Sequence, residues 1–224
     1  MWTNIHRIIA KIKRMRAVGK TIEEVLENAL FDRIYREVMK IEGGIANDPD
    51  DKGGFTNHGI SLQFAITVPD EDRDGFQDTD FDRDGDVDAD DLRLLNDPRT
   101  HALYIRYFFT KPRLDELPCE IQHQAFDFGV HSGPSRAILF LQRVLILENI
   151  SPGRPDGIVG PKTIAACHEA INTIGHAKLN YICAESRLAF LLRIQSNDPT
   201  QAKYTGWKVR AERFMYPENI IVRA

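Results

Sequence analysis

One stretch of this chain combines a carboxylate, paired glycines and polar side chains in an order that suits acid catalysis. A helical pattern of apolar residues runs toward Glu42 and stops at a Gly-Gly pair, and a glycine-rich polar loop follows. The polar side chains of this loop are Asp48, Asp50, Asp51, Thr56, Asn57 and His58. Cleavage of a glycosidic bond needs a protonated acid at the leaving oxygen and a second group that holds water or stabilises positive charge. The stretch therefore predicts a hydrolytic site with Glu42 as the acid.

The predicted place of Glu42 at the C-terminal end of its helix favours the protonated carboxyl group. A helix C-terminus carries partial negative charge, and partial burial also disfavours the ionised form, so we expect a raised pKa for Glu42. Asp51 and Thr56 on the facing loop are the candidates for the second catalytic group. An ordinary Asp-rich surface turn explains the same residues, and residue chemistry alone leaves that alternative open.

A second chemical signal lies in the acidic segment that follows. The twelve residues from Asp80 to Asp91 match the EF-hand calcium loop, with Gly85 at the sharp turn and Val87 at the apolar position. The predicted ligands are Asp80, Asp82, Asp84, Asp86 (through its backbone carbonyl), Asp88 and Asp91. Position 12 of such loops is usually Glu, so the shorter Asp91 predicts a lower affinity.

An incomplete copy of the same loop comes just before it. Its predicted ligands are Asp70, Asp72, Asp74 and Asp78, with Gly75 at the turn. Phe81 stands where the closing carboxylate is expected, and overlapping Asp-rich loops of this kind resemble thrombospondin-type calcium repeats. We expect one Ca²⁺ ion, and the half-site leaves a second ion open. The expected role is structural, because bound cations offset the repulsion between the aspartates and order the segment.

Charge is distributed unevenly along the chain. The net charge is −4, but residues 70–91 hold twelve acidic residues against two arginines, a local balance of −10 that leaves +6 elsewhere. A mildly basic body is attracted to an anionic polymer. Nucleic acid is not the polymer that we expect as a partner.

The three cysteines are too few and too widely spaced for a disulfide framework or a zinc site, which predicts that they lie in the core.

The chain is predicted to be a mostly helical single unit. Residues 21–112 form a first lobe that includes the acidic insertion at 70–95, and residues 113–224 form a second lobe. The helical patterns in these lobes cover residues 101–110, 117–130, 161–174, 177–194 and 204–215, with a further helix that begins at Pro134. Strand patterns are almost absent.

Residues 1–20 form a basic amphipathic pattern of their own. They hold no acidic residue, and their apolar residues recur at helical spacing. Such a helix can lie on an anionic membrane or on lipopolysaccharide, or it can pack its apolar stripe on the rest of the protein, and both remain open. No secretory signal pattern and no apolar run of about 20 residues is present. We therefore expect cytoplasmic synthesis, with action in the periplasm or on the cell wall.

The catalytic stretch also carries a family resemblance. Glu-Gly-Gly, followed by Asn-Asp-Pro-x-Asp-x-Gly-Gly-x-Thr-x-x-Gly-Ile, resembles the signature of glycoside hydrolase family 108, the N-acetylmuramidases. Residues 126–134 and 156–163 resemble that family's second half, which is described as a predicted peptidoglycan-binding region. The resemblance covers residues 28–215. It implies a lysozyme-like helical fold and cleavage of the β-1,4 bond between N-acetylmuramic acid and N-acetylglucosamine.

The resemblance assigns roles to individual residues of this chain. The family's catalytic acid falls on Glu42, and its loop positions fall on Asp51 and Thr56. The residues expected to contact the glycan are Asn57, His58, Asp127 and His131. The chain departs from the family pattern at Ile45, where an aromatic residue is usual, and at His131, where Asn is usual. An inverting course is favoured, because a water held by Thr56 needs the wider carboxylate gap.

Two other functions are compatible with the sequence. One is a non-catalytic, calcium-dependent protein that binds or assembles the cell wall. The other is a glycosidase that acts on chitin. A phage endolysin and a bacterial lysozyme-like protein are both compatible settings for the peptidoglycan hydrolase.

Overall fold

The structure is a computed structural model that describes residues 22–41, 55–198, 200–201 and 206–222. Glu42, Asp51 and the amphipathic segment 1–20 lie outside these described residues, so the predictions made for them are not addressed by the geometry below.

Helix α1 spans Ile22–Met39 and leads toward the predicted catalytic stretch. Its side chains at Leu30, Phe31, Ile34 and Val38 are almost fully buried. These positions recur at the three- and four-residue spacing that lines one face of a helix, so α1 lies with this face on the core. The last turn ends where the Ile41 amide donates to the Val38 carbonyl at 3.0 Å.

A short hairpin follows the undescribed part of the loop and was not predicted from the sequence. Strand β1 (Thr56–Asn57) pairs antiparallel with β2 (Ile60–Ser61), so that Thr56 lies opposite Ser61. The two turn residues, His58 and Gly59, have φ values of 49° and 75°. Positive φ at both central residues is the geometry of a type I′ hairpin turn, and Gly at the second position suits it. Helix α2 (Leu62–Ala65) begins directly after β2.

The acidic segment connects α2 to two short helices, α3 (Ala89–Arg93) and α4 (Asp97–Leu103). The chain then continues as a π-helix at Tyr104–Thr110 and a 3₁₀ turn at Leu114–Glu116. The predicted helix at 101–110 is therefore not a regular α-helix. In the i→i−5 pattern residue 109 lies about one turn beyond residue 104, which brings the buried Tyr104 and Phe109 to the same side of the helix.

The second lobe is a group of longer helices. They are α5 (Cys119–Ser132), α6 (Pro134–Leu147), α7 (Pro161–Ile174), α8 (His176–Asn197) and α9 (Gly206–Glu212), followed by 3₁₀ turns at Arg213–Met215 and Pro217–Asn219. Proline suits the first position of a helix, and α6 and α7 both begin at one, as predicted. The mostly helical, lysozyme-like fold class is confirmed.

One hydrophobic core runs through both lobes, from Leu30 in α1 to Leu179 in α8. At its centre the ring of Phe31 lies 4.7 Å from that of Phe109 and 5.3 Å from that of Phe126, centroid to centroid. Edge-to-face and tilted contacts at these distances are favourable for aromatic rings. They attach α1 to both the π-helix and α5. The cysteines form no disulfide. Cys167 is fully buried as predicted, whereas Cys119 and Cys183 are only partly buried and pack against the core.

Within the described part of the chain, none of the helices has the length and apolar content that crossing a membrane requires.

Candidate active site and the acidic loops

An open groove of about 670 Å³ lies between the C-terminal half of α1, the turn of the hairpin and the start of α4. Its lining combines charged, aromatic and polar side chains. The lining residues are Asp32, Tyr35, Arg36, Met39, Lys40, His58, Asp97, Pro98 and His101. A groove of this size that is lined by an aromatic ring and several charged groups can hold an oligosaccharide with polar substituents.

The α1 wall of the groove is built around Tyr35. Its ring centroid lies 4.8 Å from that of His101 and 5.8 Å from that of Tyr104. His101 in turn contacts Asp32 through Nε2 at 3.1 Å. Burial, with a smaller effect from Asp97, raises the pKa of Tyr35 to about 12, so the phenol keeps its proton at neutral pH. The tyrosine therefore offers the groove an aromatic face and a hydroxyl group.

This wall was not predicted from the sequence. The only signal for it was the spacing of Asp32, Tyr35, Arg36 and Met39, which places them on one face of α1. That spacing is equally common on ordinary solvated helices. The groove exists because His58 and His101, which come from other parts of the chain, face this side of α1.

The hairpin carries two of the predicted site residues and brings one of them, His58, to the groove. His58 lines the groove itself. Its backbone carbonyl accepts a hydrogen bond from the Tyr104 hydroxyl at 3.1 Å, which fixes the turn against the core. Thr56 lies two residues earlier, on β1, and is half-buried. Glu42 and Asp51 are outside the described residues, so their distances to Thr56 remain a prediction.

Asn57 is positioned differently from the prediction. Its side chain is only 4% exposed, and its Nδ2 donates to the carbonyl oxygen of Leu92 at 2.7 Å. A side chain that is buried and already donates to the backbone of α3 does not present itself to a glycan. The structure therefore corrects the assignment: Asn57 attaches the hairpin to the end of the acidic segment.

Asp127 is also a structural residue and not a surface contact for sugar. Its carboxylate has no exposed surface and accepts from Arg187 Nη1 at 2.6 Å and from Arg210 Nε at 3.0 Å. The two arginines hold the pKa of Asp127 below its usual range despite complete burial. Because the carboxylate joins α5 to α8 and α9, the predicted glycan contact of Asp127 is wrong for this arrangement.

His131 lies in the last turn of α5 and is not among the residues that line the groove. Its ring packs edge-on to Trp207 with centroids 5.2 Å apart, and its Nδ1 lies 3.3 Å from the Ser132 hydroxyl. Burial and the neighbouring Arg187 lower the pKa of His131 to about 3, so the imidazole is neutral at physiological pH. The predicted contact between His131 and the glycan stays a prediction. It would lie outside the set of residues that line the groove.

The acidic segment folds as two similar loops, ten residues apart. In each loop the first aspartate accepts from the glycine amide at position six: Asp70 from Gly75 at 2.9 Å and Asp80 from Gly85 at 3.1 Å. Both glycines have positive φ, 98° and 103°. The sequence pattern therefore did predict equivalent backbone paths for the two loops.

The two loops close with different residues. In the second loop Asp91 accepts from the amide of Phe81, and in the first loop Asp78 accepts from the equivalent amide of Glu71 at 3.0 Å. Position twelve of the first loop is Phe81 and offers no carboxylate, so the loop is closed instead by Asp78 at position nine. Repulsion between carboxylates remains in the second loop, where Asp84 most strongly raises the pKa of Asp86.

Comparisons with known proteins agree with this arrangement. Residues 35–133 match the model of a family described as Glycosyl hydrolase 108, and residues 136–212 match a model described as Predicted Peptidoglycan domain. Among solved structures the chain is similar to that of Brucella abortus SagA, with 26% identity and a TM-score of 0.57 over 84% of this chain and 97% of the SagA chain. No curated protein matches the chain.

The corrected position of Asn57 makes a testable prediction. In Asn57→Ala the buried Leu92 carbonyl loses its side-chain donor, so we expect the free energy of unfolding to fall by about 1–3 kcal/mol in chemical denaturation. Gln63→Ala, an exposed amide on the adjacent α2, is the control and should change stability by less than about 0.5 kcal/mol. If Asn57→Ala had unchanged stability and a raised KM, the result would instead show that Asn57 contacts the glycan.

Proposed function

Because this chain belongs to glycosyl hydrolase family 108 and is a peptidoglycan hydrolase of the N-acetylmuramidase class, we propose that Glu42 is its general acid and that Asp51 and Thr56 complete the catalytic set. The match to a peptidoglycan domain favours peptidoglycan over chitin as the substrate. The glycosyl hydrolase match favours an enzyme over a protein that only binds the wall.

The observation that carries the assignment is the groove at the C-terminal end of α1. The helix ends at Met39, three residues before Glu42 in the chain, and Met39 and Lys40 both line the groove. The hairpin that carries Thr56 on β1 reaches the same groove through His58, at the other end of the loop. Both ends of the catalytic stretch therefore converge on one concave surface, which supports a site between them.

The proposed reaction follows from the chemistry of these groups. Glu42 donates its proton to the glycosidic oxygen as the bond from that oxygen to C1 of N-acetylmuramic acid breaks. A water held by Thr56 and Asp51 attacks C1 from the opposite face, which inverts the anomeric configuration. The water gives its proton to the Asp51 carboxylate, so the net change is addition of one water across the bond.

The groove contributes substrate binding in this proposal. Tyr35 offers a ring face and a hydroxyl, and His58 and His101 offer further hydrogen-bonding groups. Arg36 and Lys40 line the same groove and attract the carboxylates that peptidoglycan carries. Asp32 and Asp97 line the groove as well, so its charges balance, and the two cations offer local contacts for a carboxylate without a net positive field.

Removal of the proposed acid gives the sharpest mutational test. Glu42→Gln keeps the size and shape of the side chain but removes its acidic proton. We therefore expect the rate of turbidity clearance to fall by about 10²–10⁴-fold. The matched control is Glu37→Gln, which changes a partly exposed carboxylate of α1 that pairs with Lys40. It should retain most of its activity. Unchanged lysis by a folded Glu42→Gln protein would refute the assignment.

The stereochemistry of the first product tests the water-attack mechanism. Proton NMR of a defined glycan fragment, recorded before mutarotation, should show the new reducing end as the α anomer, because the β bond is cleaved with inversion. A first product in the β configuration would mean retention, and Asp51 or another group would then act as a nucleophile or the substrate would assist its own cleavage.

The basic segment 1–20 has a separate proposed role in reaching the substrate. We propose that it contacts anionic membrane or lipopolysaccharide. Deleting it should abolish killing of intact cells from outside while clearance of purified wall stays within about twofold, since the groove residues are retained. Equal loss in both assays would show that the segment serves folding or catalysis instead.

A further inference from the structure

We propose that the second acidic loop, residues 80–91, binds one calcium ion through Asp80, Asp82 and Asp91. Each of the three residues offers a carboxylate oxygen, and these oxygens lie within 4.8 Å of one another. A second grouping, Asp86 with Asp88, shares Asp91 and adds further oxygens on the same loop. Asp84 is in neither grouping.

A buried and unsatisfied oxygen of Asp80 points to a missing ligand. Asp80 is 6% exposed, and its Oδ2 accepts from the Gly85 amide, but its Oδ1 is buried without any hydrogen-bond partner. An unpaired carboxylate oxygen in a buried position is costly, and proteins avoid it by adding a donor or a cation. A cation among the three carboxylates would give Oδ1 its partner.

The ligand type and the charge of the three carboxylates fit calcium. Calcium binds carboxylate oxygens, and the twelve-residue loop with glycine at position six is the arrangement that calcium loops use. Among the described residues, no lysine or arginine forms an ion pair with Asp80, Asp82 or Asp91. The loop therefore keeps a concentrated negative charge that a divalent cation can offset.

The first loop has the same backbone path but its charge is already neutralised by the protein. Asp78 Oδ2 accepts from Arg106 Nη1 at 2.9 Å and from the Tyr107 hydroxyl at 3.1 Å. Asp74 forms an ion pair with Arg83. Asp70, Asp72 and Asp78 also bring carboxylate oxygens within 4.8 Å of one another, but Arg83 and Arg106 already offset part of the negative charge of this loop. The proposal is therefore for a single ion, in the second loop.

The ion would stabilise the position of the hairpin as well as the loop in which it binds. Asp91 is 1% exposed and belongs to α3, where its Oδ2 accepts from the Asp88 amide at 2.9 Å. The next residue, Leu92, provides the carbonyl that holds Asn57. An ion that fixes Asp91 therefore also fixes the helix to which the hairpin with Thr56 and His58 is attached.

The test measures binding without any use of catalysis, so its failure is distinct from a failure of the catalytic proposal. The full chain, stripped with EDTA, is titrated with CaCl₂ in a calorimeter and its Tm is followed in parallel, with MgCl₂ as the competing ion. We expect saturable binding near one ion per chain and a rise in Tm with calcium, and at least about a tenfold preference over magnesium.

Two substitutions test whether the ion binds in this loop. Asp80→Asn removes one ligand charge and should weaken calcium binding by about tenfold or more. Asp82→Asn, at an exposed position, should do the same without touching the core, which keeps the test valid if Asp80→Asn folds poorly. Asp90→Asn is the matched control: Asp90 pairs with Arg93 and is in neither grouping, so binding should be retained.

Three results would overturn the proposal. One is the absence of heat and of a Tm shift up to about 10 mM calcium, well above the range of extracellular calcium modules. Another is equal binding by the wild-type protein and by Asp82→Asn. The third is an equal response to magnesium, because that would mean general charge screening of an acidic surface.

Discussion

The aromatic contact of Phe31 with Phe109 and Phe126 is the interaction on which the proposed site depends. It attaches the buried face of α1 to the π-helix and to α5, so the same helix that is fixed on the core presents Tyr35, Met39 and Lys40 to the groove. The wide turn of the π-helix is part of this contact, because it brings Tyr104 and Phe109 to one side. Loss of this packing would displace the end of α1 and, with it, the approach to Glu42.

A second constraint comes from hydrogen bonds that attach the hairpin to its surroundings. Tyr104 holds the carbonyl of His58, and Asn57 holds the carbonyl of Leu92. The first bond fixes the hairpin to the core and the second fixes it to the acidic segment. The proposed calcium loop is therefore linked to the proposed site, because α3 at the end of the loop is hydrogen-bonded to β1, the strand that carries Thr56.

Helix starts and loop backbones were more predictable from the sequence than the long-range packing around the site. Pro134 and Pro161 begin helices, as the fixed φ of proline suggests, and the glycine spacing predicted two equivalent loops. Asn57 and Asp127 were predicted to contact the substrate because they are polar residues within the motifs that resemble the family. Their partners, Leu92, Arg187 and Arg210, are 35 to 83 residues away in the chain, and no local pattern indicates such contacts.

A structure of Glu42→Gln bound to a peptidoglycan tetrasaccharide tests the central claim most directly. We predict that the sugars occupy the groove beside Tyr35 and His58, with the glycosidic oxygen within about 3 Å of the side chain at position 42. Thr56 should face the opposite side of the sugar with room for a water. A glycan bound outside this groove, or a glycosidic oxygen far from position 42, would contradict the proposed site.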